Sequence, residues 1–154
     1  MASFFLDTSA IVKRYISEAG TGWVVSLADP ATRNDLYIAR IAEVEVTSAI
    51  VRRDRGGSLA PSVATAALMQ FRHDLANQYQ TTEITDALLA RATSFAESDG
   101  LRAYDAVQLA AVVELAEQHK ALSLASPILV SADQELNAAA IAAGMTVENP
   151  NTHP

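Results

Sequence analysis

The most apolar segments of this chain are too short to be anything but buried strands, and each is followed at once by a helix-like segment. Phe4-Phe5-Leu6, Leu36-Tyr37-Ile38-Ala39 and Pro127-Ile128-Leu129-Val130 are continuous apolar runs, not alternating ones. That is the pattern of strands covered on both faces, as in a parallel sheet. Two weaker strands are read at Thr81 to Ile84 and Met145 to Glu148, the first on β-branched residues alone. Between them, helices are read at Ser9 to Ser17, capped by Thr8 or Ser9, and at Thr21 to Ala28, which Asp29-Pro30 stops. Others cover Ala42 to Arg53, Pro61 to Gln78, Asp86 to Ser98, Arg102 to His119, and the stretch from Asp133 to near Gly144. Strand and helix alternating over the whole length predict a three-layer α/β/α sandwich around a central, mainly parallel sheet of four to five strands. One domain over residues 1–149 is expected, with a frayed tail at 150–154.

Composition narrows the chemistry. The 154 residues include no cysteine and three scattered histidines, which removes thiolate zinc sites and cysteine nucleophiles. Any metal site must be built from oxygen, which suits Mg²⁺ or Mn²⁺. A formal charge of -7 argues against a protein that coats nucleic acid by bulk attraction. Basic residues nonetheless cluster at Lys13-Arg14 and at Arg52, Arg53 and Arg55, as solvated helix surface or as a local binding rim. No apolar run reaches membrane-spanning length and the N-terminus lacks a secretory pattern, so a soluble cytoplasmic protein is expected.

In doubly wound sheets, ligands bind beyond the carboxyl ends of the strands. Asp7 follows the first strand directly, and Asp133 lies three residues past Val130. Glu43 and Glu45 fall in the first turns of one helix and Asp105 in the first turn of another. Each acid alone is equally a helix cap or a partner for a helix dipole. Together on one sheet edge they repel one another, a costly arrangement unless cations neutralise it. Divalent cations held by such carboxylates suit phosphodiester cleavage, and Thr8, Ser9 or Ser131 would hold coordinated water.

The segments FFLDTSAIVKRY, ARIAEVEVTSAIVRRDR, GLRAYDAVQLAAV and ILVSADQELNAAAIAAGM, in that order, resemble the PIN-domain nucleases, most closely the VapC toxins of toxin-antitoxin pairs. The resemblance covers nearly the whole chain. It implies a PIN-like fold and a Mg²⁺- or Mn²⁺-dependent endoribonuclease acting on RNA. The protein would be a homodimer, or a hetero-oligomer with a VapB-like antitoxin that holds it inactive. Matched position by position, Asp7, Glu45, Asp105 and Asp133 are the implied catalytic and metal-binding acids. Residues two apart on a helix point about 200° from each other, so Glu43 and Glu45 cannot both face the site. The apolar face at Ala42, Val46, Ala49 and Ile50 flanks both equally, and the family pattern Glu-Val-x-x-Ala-Ile selects Glu45. An extra family acid near the break before the Asp105 helix makes Asp99 a supporting candidate. Because the chain is acidic overall, RNA capture is assigned to local cations: Lys13, Arg14, Arg40, Arg52, Arg53, Arg55 and Arg102.

Two other classes fit parts of the pattern. A phosphotransfer enzyme could use an aspartate at the position of Asp7, although the haloacid-dehalogenase type needs a second acid where Ser9 stands. A catalytically weak module of the same fold could bind a cation and either an antitoxin or RNA without turnover.

Overall fold

The computed structural model describes residues 1–153, and its sheet contains five strands, all parallel. These are β1 (Ser3–Leu6), β2 (Asp35–Ala39), β3 (Tyr79–Thr82), β4 (Ile128–Val130) and β5 (Thr146–Glu148), in spatial order β3-β2-β1-β4-β5. Seven α-helices connect and cover them: α1 (Thr8–Tyr15), α2 (Thr21–Leu27), α3 (Ala42–Arg55), α4 (Pro61–Asn77), α5 (Asp86–Asp99), α6 (Ala103–Ala121) and α7 (Gln134–Ala142).

The period-2 geometry of a strand divides β1 between two cores. Phe4 and Leu6 pack with Ile11 and Val12 of α1, Val46 and Ile50 of α3 and Phe71 of α4. Phe5 points the other way, into Leu88 of α5, Leu109 and Val112 of α6 and Leu136 of α7. Both faces are therefore buried, which is why the strands read as continuous apolar runs. The sandwich has helices α1 to α4 on one side and α5 to α7 on the other, as the strand-helix alternation predicts.

The chain winds outward from β1 through β2 to β3, then returns across the sheet to β4 on the opposite side of β1. The carboxyl ends of β1 and β4 thus flank the topological switch point, where the two connecting loops diverge and leave a crevice. Asp7 and Asp133 stand in those two loops.

Two expectations are corrected. The third strand begins at Tyr79, two residues before the predicted start, and its partner β2 fixes that register through Leu36 against Tyr79. The tail is not frayed over its described length. Pro150–Thr152 form a 3₁₀ turn with Pro150 buried, and the His153 ring stacks on Trp23 of α2 at 4.2 Å. His153 Nε2 also lies 3.0 Å from Glu148. The close approach requires Gly20, whose φ is +84° and where a Cβ would sit 2.3 Å from the Pro150 carbonyl oxygen. Among the described residues no helix is long and apolar enough to cross a membrane.

Candidate metal and phosphate site

Asp7 caps α1 with its own side chain. Its Oδ1 accepts from the Ala10 amide at 3.1 Å and from the Ser9 hydroxyl at 2.6 Å, and Oδ2 accepts from Ser131 Oγ at 3.1 Å. This corrects the assignment of the cap to Thr8 or Ser9. Capping and facing the site are one role here, because the cap position of α1 is also the carboxyl end of β1. Asp133 repeats the device on α7, accepting from the Leu136 amide at 2.9 Å.

The hydroxyls beside Asp7 are committed to holding it. Ser9 Oγ accepts from the Ala132 amide at 2.9 Å, and Ser131 Oγ accepts from the Asp133 amide at 3.0 Å. Both tie the loop after β4 to the start of α1, each giving its one proton to Asp7 and keeping one lone pair unused. Thr8 alone of the three is uncommitted. Its Oγ1 is buried and near Glu45, close enough to favour the charged carboxylate but outside hydrogen-bond geometry.

All four implied acids line a single pocket of about 390 Å³: Asp7, Glu45, Asp105 and Asp133. Asp7 is buried, and burial pushes its carboxyl up to about 7. The hydrogen bonds from Ser9, Ala10 and Ser131 work against that rise, and the charge of Asp105 adds to it. Burial also raises Glu45, opposed by Gln108 and Thr8 and reinforced by Asp105. Asp105 is raised by burial first and then by Asp133, with Arg102 opposing and Glu135 adding. The acids feel one another's charge, as carboxylates gathered in one pocket do, and of the nearby cations only Arg102 offsets it, at Asp105.

The donor set fits a hard divalent cation, being four carboxylates and a spare hydroxyl with no sulfur or imidazole. Among the described residues no three acidic or histidine side chains close into a cage around one position. A cation here would therefore keep part of its water shell, as Mg²⁺ commonly does.

The structure separates the remaining candidates. Glu43 is exposed on α3 and away from the pocket, so the one-turn geometry of the helix leaves Glu45 as the site acid. Asp99 lines a different depression with Gly100, Glu135 and Ala139. Lys13 and Arg53 reach the acid pocket. Arg14 does not: its guanidinium is 3.1 Å from Asp74 and packs over the Tyr79 ring, buried against α4. Arg40 is exposed and pairs with Glu83 at 3.4 Å, while Arg52, Arg55 and Arg102 are exposed.

Two pocket residues escaped the sequence reading. Gln108 is buried one turn beyond Asp105, and its Nε2 donates to Glu45 at 3.2 Å. The i, i+3 spacing from Asp105 marks it as sharing that helix face. Glu18 sits in the α1–α2 turn and folds back over Lys13 and Arg53. No local signal in the sequence announces that return.

Neither a protein-family model nor a curated protein sequence matches this chain. Solved structures do. PAE2754 from Pyrobaculum aerophilum aligns over 99% of this chain and 92% of its own, with a TM-score of 0.65 at 18% identity. VapBC2 from Rickettsia felis, determined bound to a DNA fragment from its promoter, aligns over 96% and 98% with a TM-score of 0.61 at 14% identity. VapC20 from Mycobacterium tuberculosis, described as a sarcin-ricin loop cleaving toxin, aligns over 88% and 94% with a TM-score of 0.61 at 17% identity. At such identities the likeness concerns architecture, and on architecture it is unambiguous: this chain has the PIN-like fold of the VapC-type proteins.

Proposed function

We propose that this protein is a Mg²⁺- or Mn²⁺-dependent endoribonuclease and the toxin of a toxin-antitoxin pair. The observation that carries the reading is the single pocket at the sheet's switch point that gathers Asp7, Glu45, Asp105 and Asp133 without an internal counter-ion for Asp7. A structural cluster of this kind is costly, and a bound cation relieves the repulsion. When bound, the cation would supply Lewis acidity toward a phosphodiester and toward attacking water. The chain's own part is to hold the ligands still. Ser9, Ser131 and the Ala10 amide fix the Asp7 carboxylate, the Leu136 amide fixes Asp133, and Gln108 orients Glu45. Exposed Arg52, Arg55 and Arg102 would gather the RNA backbone toward an otherwise acidic surface.

The fold shared with VapC20, whose described activity is cleavage of the sarcin-ricin loop, supports RNA as substrate. The fold shared with VapBC2, a two-protein assembly on promoter DNA, supports an antitoxin partner. Pairing as a homodimer, or with the antitoxin, is part of the same proposal.

The test is cleavage of structured RNA by the purified, antitoxin-free protein with Mg²⁺ or Mn²⁺, beside Asp7→Asn. Metal-dependent cleavage that falls about 10³-fold in the variant is expected, a typical loss when a charge-stabilising group is removed from an active site. Cleavage that persists in EDTA and in Asp7→Asn would contradict the reading.

A further inference from the structure

Lys13 is the anomaly of the site. Its side chain is 7% exposed, yet its nearest carboxylate oxygen lies beyond hydrogen-bond length. Its one ion pair within 4 Å among the described residues is with Glu18, at 3.6 Å. The stem is buried while the ammonium reaches the open pocket, so its three donors are left to water or to an acceptor arriving from outside the chain. The other oxygen of Glu18 lies 3.4 Å from Arg53 Nη2. One carboxylate thus sits between two cations, and all three side chains line the same pocket as Asp7, Asp105 and Asp133.

We propose that the space between Lys13 and Arg53 is a phosphate subsite for the RNA backbone, and that Glu18 occupies it as an internal stand-in when no RNA is bound. The ligand class rests on the ribonuclease reading above; the anion position itself rests on the geometry. A carboxylate is a poor substitute for phosphate here. It offers two oxygens to cations that can donate in more directions, and its loose contacts to both show the mismatch. Glu18 is half-buried at the start of a turn rather than within a helix, so its side chain can swing out while its backbone stays fixed, its amide donating to the Thr21 hydroxyl at 3.0 Å. Arriving phosphate displaces it, and the Lys13 ammonium exchanges water and a distant carboxylate for phosphate oxygens. The free enzyme is then self-screened, and random polyanions must compete with a tethered carboxylate before they reach the acids.

The experiment is anisotropy of a fluorescein-labelled short single-stranded RNA with the full chain in EDTA, where cleavage cannot occur. Glu18→Gln should bind about tenfold more tightly than the wild type, and its dependence on log salt should steepen by about 0.7, the value of one added phosphate contact on a single strand. Glu97→Gln, an exposed charge on α5, controls for net charge and should change binding less than about twofold. Adding Lys13→Met to Glu18→Gln should remove the gain, whereas adding Lys13→Arg should keep it, with thermal transitions confirming that each variant folds. Equal binding by Glu18→Gln and Glu97→Gln, or a gain that survives Lys13→Met, would overturn the proposal. Inorganic phosphate should displace RNA from Glu18→Gln more readily than from the wild type. If Glu18→Gln gains affinity for inorganic phosphate and none for RNA, the RNA assignment is overturned. Should the binding pattern hold while metal-dependent cleavage is absent, the subsite stands and the ribonuclease reading falls.

Discussion

Asp7 and Asp74 are each only 4% exposed, yet the protein treats the two carboxylates in opposite ways. Asp74, on α4, accepts from Tyr15 at 2.7 Å and Gln70 at 2.9 Å and has the Arg14 guanidinium at 3.1 Å. Its charge is balanced from within, and the cluster pins α4 to α1. Asp7 accepts from two hydroxyls and an amide and makes no ion pair, although its pocket holds Lys13 and Arg53 beside four more acids, and the cation contacts of those two go to Glu18. Neutral donors hold its shape without cancelling its charge, and burial lifts its carboxyl to about 7. The contrast separates a buried acid that completes a structure from one left for something outside the chain.

If the comparison is right, the two aspartates respond oppositely to mutation. Asp74→Ala leaves Arg14 buried without its partner and should cost about 3–5 kcal/mol in urea unfolding, the usual result of breaking a buried pair. A loss below 1 kcal/mol would break the contrast from that side. Asp7→Asn, which keeps a cap-competent side chain, should instead stabilise the metal-free protein at pH 8. The rise from 3.8 to about 7 sets the ceiling at about 4 kcal/mol.

The same shift fixes a pH dependence. Between about pH 4 and 7 the native protein holds a proton on Asp7 that the unfolded chain has lost. Stability of the metal-free protein therefore falls as pH rises through that window, and the loss is complete above about 7. The raised carboxyls of Glu45 and Asp105 act in the same direction. Thermal midpoints across the window should show the decline in the wild type and a shallower one in Asp7→Asn. Gln108→Met sharpens the picture with a smaller effect, lowering cation affinity about tenfold by releasing Glu45, in the range of outer ligand partners. Glu43→Gln should change neither stability nor cation binding measurably, its side chain being exposed and outside the pocket.

Much of this was legible in the residues. Apolar runs too short for helices identified β1, β2 and β4, because strands buried on both faces have no polar alternation to hide them. β3 was harder to place since Tyr-Gln-Thr-Thr at a sheet edge carries little apolar signal. The four site acids were readable because strand ends and first helical turns are positions that topology sends to one edge. Asp7 and Asp133 posed a false choice between cap and pocket acid, since the same side chains cap their helices and line the pocket. Lys13 and Arg14 read alike as a basic pair, yet the helix separates them: Arg14 is bound up with Asp74, and Lys13 faces the site. Glu18 and its grip on Lys13 and Arg53 depend on a loop folding back in three dimensions, which no local pattern encodes.

The central claim is that the Asp7 pocket holds a divalent cation at the cost of a proton. Titrating Mn²⁺ into the protein by calorimetry at pH 7, in buffers of different ionisation enthalpy, measures binding and proton release together. Saturable binding that releases about half a proton or more, lost with its proton release in Asp7→Asn, is the predicted result. Absence of binding, or binding that survives Asp7→Asn with its proton release unchanged, would contradict it.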